Sequence, residues 1–152
     1  MKTLKNTVLL FLIALSLFKC AIVPKLQKEA PTGLKEVYYQ NWNAGHKDGI
    51  SGTDIYIRLL NTSVLLDSVY FKGHVVKLNV VSTDSLLFVG HTKSNSNITI
   101  DLENSSFSKF KINDSDCIIS YKKTHHEPLQ YYKIINVIML QSVNYPSSPS
   151  KI

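Results

Sequence analysis

From Leu34 to Leu140 apolar and polar residues alternate with a period of two, and turn-forming clusters break the alternation every eight to twelve positions. That pattern predicts strands joined by tight turns, because successive strand side chains point to opposite faces. The first strand is Leu34 to Trp42, followed by a loop holding Gly45, Gly49 and Gly52. Thr53 to Leu60 alternates Ile55, Ile57 and Leu59 with Tyr56 and Arg58, and Asn61-Thr62-Ser63 turns the chain. Val64 to Lys72 leads through Gly73-His74 into Val75 to Val81, and Ser82 to Ser85 turns again before Leu86 to Gly90.

His91 to Asn97 is polar and reads as loop, while Ile98 to Leu102 and Phe107 to Ile112 again read as strands. Asn113 to Asp116 is a turn cluster. Cys117 to Lys123 and Leu129 to Leu140 read as a hairpin around Thr124-His125-His126-Glu127-Pro128. No segment combines three-four spacing with helix caps. The expectation is an all-β domain of about eight or nine strands, an antiparallel sandwich or a small barrel.

The N-terminus breaks this pattern. Lys2 and Lys5 precede a continuous apolar run, Val8 to Phe18, which stops at Lys19-Cys20. About twenty apolar residues are needed to cross a bilayer, so the run is short for an anchor and has the form of a secretory signal. Ala14-Leu15-Ser16 is a loose match to an ordinary cleavage site but lies inside the apolar run. Leu17 and Cys20 stand where a bacterial lipoprotein signal needs a leucine and the acylated cysteine, although Lys19 replaces the usual small residue. The favoured division is a signal peptide at 1–19, a lipid-anchored polar tether at 20–33, the β domain at 34–143 and a flexible tail at 144–152. Lipidation at Cys20 would hold the domain on a membrane through about 0.8 kcal/mol per buried CH₂.

Composition narrows the classes of function. Removing Lys2, Lys5 and Lys19 with the signal reduces the 17 basic residues to 14 against 11 acidic ones, a net charge of about +3. Arg58 is the single arginine, which disfavours nucleic acid, whose phosphates and base edges are read largely by arginine. With Cys20 lipidated, Cys117 has no partner in the chain and is expected to be a buried, inert thiol on the face shared by Ile119 and Tyr121. Ser120 and Lys122 then take the solvent face.

The candidate chemistry is thin. Gly45 to Gly52 is not followed by the Lys-Ser/Thr and helix of a phosphate loop, so its glycines are expected to serve a turn. Trp42 beside it is either core cover or a ligand platform. His125-His126-Glu127 is a tight group of metal-ligand types without a metal-site spacing, expected to be a hydrated hairpin tip. His46, His74 and His91, and Asp54, Asp67, Asp84, Asp101 and Asp116, lie at strand ends and are expected to be solvated. Seven tyrosines (Tyr38, Tyr39, Tyr56, Tyr70, Tyr121, Tyr131, Tyr132) suggest an aromatic binding face or, with more weight, packing. The sequons at Asn61, Asn97, Asn104 and Asn113 carry no meaning in a bacterial lipoprotein.

Leu34 to Trp42, Ala44-Gly45, Gly49-Ile50-Ser51-Gly52, Leu66 to Gly73 and Ile119-Ser120-Tyr121, together with the Phe18-Lys19-Cys20 end of the signal, resemble small envelope lipoproteins of Bacteroidetes. The resemblance implies residence in the cell envelope and carries over no activity. The expected function is a non-enzymatic binding or structural β domain, lipid-anchored to the outer membrane and facing the periplasm. It would have an envelope protein or glycan partner, no cofactor, no metal and no catalytic residues. The alternative is a small hydrolase or a metal-dependent enzyme using His125-His126.

Overall fold

A computed structural model describes residues 25–45, 50–93, 110 and 112–146. The signal peptide, Cys20, His46-Lys47-Asp48, the expected strand at Ile98 to Leu102 and most of that at Phe107 to Ile112 lie outside the described residues. So do Asp101, the sequons Asn97 and Asn104, and residues 147–152. The described chain forms ten strands and no helix: β1 (Leu26–Gln27), β2 (Leu34–Ala44), β3 (Ser51–Leu59), β4 (Leu65–Phe71), β5 (His74–Lys77), β6 (Asn79–Val81), β7 (Asp84–Lys93), β8 (Cys117–Lys122), β9 (Gln130–Ile134) and β10 (Ile138–Tyr145).

The strands make two five-stranded sheets, ordered β1-β9-β8-β4-β5 and β10-β2-β3-β7-β6. The chain forms a hairpin in one sheet, crosses, and forms the next hairpin in the other. Interior pairings are antiparallel, and each terminal strand joins the opposite chain end's sheet in parallel, β1 on β9 and β10 on β2. The core lies between the sheets. Ile55, Ile57 and Leu59 from β3 meet Val69 and Phe71 from β4 and Cys117, Ile119 and Tyr121 from β8, all buried. The sandwich half of the expectation is therefore the correct one.

The period-two reading places the strands well, with three corrections. Leu129 to Leu140 is not one strand. Ile135 to Val137 carries the chain from one sheet to the other, and Asn136 adopts a φ of 53° there. Asp116, 3% exposed, fixes this crossing by accepting the Asn136 amide at 3.1 Å and pairing with Lys133 at 2.9 Å. Second, Leu26–Gln27 in the expected tether pairs with Tyr131 and Tyr132, and Asn144 and Tyr145 in the expected tail belong to β10. Third, Ser120 is buried rather than solvated. At the bulge between Leu66 and Ser68 its hydroxyl accepts the Ser68 amide at 3.1 Å, filling the gap that the bulge leaves in the ladder. Beside it, burial raises the Asp67 carboxyl pKa. Hydrogen bonds from Lys77 and Ser68 outweigh that and leave it below its ordinary value.

Cys117 is fully buried, and burial, then the Asp116 charge, push its thiol up to about 12. Burial followed by the Asp54 carboxylate raises the Tyr56 phenol likewise, to about 12. A group with a raised folded-state pKa keeps its proton while the unfolded chain loses it. Stability should therefore fall as the pH rises from about 9 towards 12. Urea midpoints measured across that range check this, and Cys117→Ala and Tyr56→Phe should each flatten the decline. Cys117→Ala should cost about 1 kcal/mol at neutral pH. Thiol titration of the folded protein should be slow until denaturant is added, and fast labelling would place the thiol at the surface.

Candidate functional site

The inward-facing rows of β2, β3 and β7 change character along their length. On β2 the inward row runs Val37, Tyr39, then Asn41, Asn43. On β3, opposite and antiparallel, it runs Ile57, Ile55, then Thr53, Ser51. On β7 it runs Phe88, Gly90, then Thr92. Each row is apolar where it meets the second sheet and polar beyond it. The core therefore ends at one level across three strands, and a cleft of about 390 Å³ opens past it. Phe71 and, from the β4–β5 hairpin, Lys72 and His74 line the cleft from the other sheet, and Lys93 lines it from β7. Ser142 of β10 closes one side.

The polar lining is ordered by its own hydrogen bonds. Thr53 donates its hydroxyl to Asn41 Oδ1 at 2.8 Å. Thr92 Oγ accepts the Thr53 amide at 3.1 Å and donates to the Thr53 carbonyl at 2.8 Å. The Asn43 side-chain amide donates to Asn144 Oδ1 at 3.3 Å. Each of these amides and hydroxyls keeps further donor or acceptor capacity for a ligand.

Behind the same strands, on the face turned away from the second sheet, lies a buried polar cluster. Trp42 is 1% exposed and donates its indole N–H to Asp54 Oδ1 at 3.0 Å. His91 pairs with the same carboxylate oxygen and stacks on the indole, with centroids 5.1 Å apart and planes 10° from parallel. Gly52 lies directly opposite Trp42 in the register, and a Cβ there would run into the ring and the Thr92 carbonyl. The glycine is therefore required by close packing. Its φ is not in the left-handed region, contrary to the turn role expected for it.

Several sequence-based expectations change here. Trp42 is no ligand platform, because its ring is sealed. His91 and Asp54 are paired in a packed cluster rather than solvated, Asp84 is bound to Arg58 at 2.6 Å, and Asp116 is buried. Tyr121 and Tyr131 are buried and Tyr38 stacks on Tyr56 at 5.0 Å, so the tyrosines pack, as the more heavily weighted reading had it. His125 and His126 stand exposed at the β8–β9 turn, where the Glu127 amide donates to the Thr124 carbonyl at 3.3 Å. Among the described residues no group of three or more metal-ligand side chains converges.

An imidazole held by a carboxylate is the acid–base half of a hydrolytic triad, and it needs a nucleophile in reach. The Trp42 ring stacks on His91, and the Tyr56 phenol, whose pKa burial and the Asp54 charge raise to about 12, interacts with the carboxylate. With Trp42 the pair clasps β2, β3 and β7 together behind Asn41, Thr53 and Thr92, which line the cleft. The polar inward row was readable from parity alone, since Val37 and Tyr39 fix which face of β2 is internal. The Trp42–Asp54–His91 cluster was not, because its members are far apart in sequence.

No protein-family model matches this chain, and no curated protein and no solved structure gives a significant match.

Asp54→Ala should cost about 1–3 kcal/mol, the range for leaving a buried donor without its acceptor. Asp54→Asn keeps an acceptor oxygen for the indole and should cost less. Urea unfolding of the two variants, followed by the fluorescence of the single tryptophan, measures the difference. Equal, negligible costs would show that the clasp contributes nothing.

Proposed function

We propose that this chain is a non-enzymatic binding domain of the bacterial cell envelope, held on the outer membrane's periplasmic side by a lipid on Cys20. Its ligand in this reading is a glycan bound in the cleft at the polar end of the sandwich. The observation that carries the reading is the change from apolar to polar on the inward rows of β2, β3 and β7. Inward positions filled with Asn, Ser and Thr forgo the burial that would extend the core, and sequences break local rules of this kind mainly at functional sites.

The size suits the purpose, since small-ligand pockets span about 300–1,000 Å³. Side-chain amides and hydroxyls can both donate and accept, which matches a polyhydroxylated ligand. The envelope location rests on Lys2, Lys5, the apolar run and Cys20, and on the resemblance to Bacteroidetes lipoproteins. A hydrolase would need a nucleophile or a metal-held water in the cleft, and the described lining offers Asn, Ser, Thr, Lys and His without an acid–base pair directed into it.

Two measurements test the two halves. Expression in a bacterial host with radiolabelled palmitate should label the wild type and leave Cys20→Ala unlabelled, and equal labelling would remove the anchor. Titration of ¹⁵N-labelled protein with a panel of saccharides should move the amide resonances of Asn41, Thr53 and Thr92 ahead of those around His125. Shifts confined to the β8–β9 turn would move the site to the other end of the molecule.

A further inference from the structure

Resting on the glycan-cleft reading, we infer that the ligand is acidic, a uronate-bearing saccharide whose carboxylate is received by Lys72 in the cleft lining. Two independent features of Lys72 point there. The first is its backbone. Lys72 and Gly73 have φ values of 46° and 81°, and Phe71 pairs with His74, so they form a two-residue hairpin turn with both central residues left-handed. Such turns select Asn, Asp or Gly at the first position, because other side chains are strained there. Lysine is a poor choice for the turn, and residues held in unfavourable conformations concentrate at functional sites.

The second feature is where its charge is held. The Lys72 ammonium rests over the Tyr39 ring, 4.1 Å from the centroid, and 5.3 Å from that of Phe71. Lys77 and Lys133 are each paired with a carboxylate, whereas among the described residues none is paired with Lys72. The aromatic faces position the cation without neutralising it. Among the described residues no carboxylate lines the cleft. A site that sets one uncompensated ammonium among amides and hydroxyls is complementary to a carboxylate on a polyol.

The test uses the purified full-length protein in detergent and isothermal titration with three probes. They are a trigalacturonate, the neutral galactose trisaccharide of the same linkage, and inorganic phosphate. The inference expects the acidic trisaccharide to bind at least about tenfold more tightly than the neutral one. Lys72→Asn, which suits the turn, should abolish that preference with no loss of melting temperature, and Lys72→Arg should keep it. Equal binding of both trisaccharides, unaffected by Lys72→Asn, would overturn the acidic ligand and leave the glycan cleft standing. Phosphate binding as tightly as trigalacturonate would overturn the saccharide and with it the inference. No binding of any probe would overturn both readings.

Discussion

The structure turns on one buried carboxylate. Asp54 accepts the Trp42 indole N–H and holds His91 against the indole face, tying β2, β3 and β7 together at the level where the core ends. Burying an aspartate is costly unless its oxygens are engaged, and here both donors come from neighbouring strands of the same sheet. The indole also needs room, which Gly52 supplies by having no side chain. Without this cluster the polar halves of the three strands would be held by ladder hydrogen bonds and the side-chain bonds of Asn41, Thr53 and Thr92, with no apolar core beneath them.

At the last apolar level of the inward rows, just before they turn polar, the sheets come close together. A Cβ on Gly90 would stand 3.1–3.3 Å from Ile55, Val69 and Val76, so the two layers pack tightly there. From this level the strands of the β2–β3–β7 sheet continue past the core, and among the described residues of the second sheet the β4–β5 hairpin accompanies them. The cleft follows from that mismatch in strand length: one sheet runs on, the other turns back at Lys72-Gly73, and the exposed inner surface is polar. The crossings between sheets are secured separately, by Asp116 at Asn136 and by the Leu78 amide on the Asp67 carbonyl at 3.0 Å.

The period-two pattern made most of this legible because strand residues report their face by parity. It identified Cys117, Ile119 and Tyr121 as a core row and placed the β4–β5 turn at Gly73. It failed where parity continues through a change of sheet. In Leu129 to Leu140 the apolar residues never stop, and the crossing is marked only by Asn136, one of the residues that tolerates a left-handed φ. It failed again for polar residues buried by distant partners. Ser120 is polar and has Lys122 for a face-mate, and nothing nearby in sequence announces that the bulge at Asp67 will need its hydroxyl. Asp54 and His91 look solvated for the same reason: the tryptophan that shields them lies on another strand.

Alternation also separates the two demands placed on these strands. Asn41-Trp42-Asn43, Gly52-Thr53-Asp54 and His91-Thr92-Lys93 each set residues of the clasp beside residues of the cleft, on opposite faces of one sheet. The partners that fix the backbone, Trp42, Asp54 and His91, face away from the cleft. The residues that face it, Asn41, Thr53 and Thr92, are small, polar and held by short hydrogen bonds to one another. Support from behind of this kind holds the donors and acceptors of the cleft lining in place, the preorganisation that in general lowers the ordering cost of binding. It also lets the cleft lining vary without loosening the sheet. Substitutions on the two faces should then act on different properties, the outer ones on stability and the inner ones on recognition.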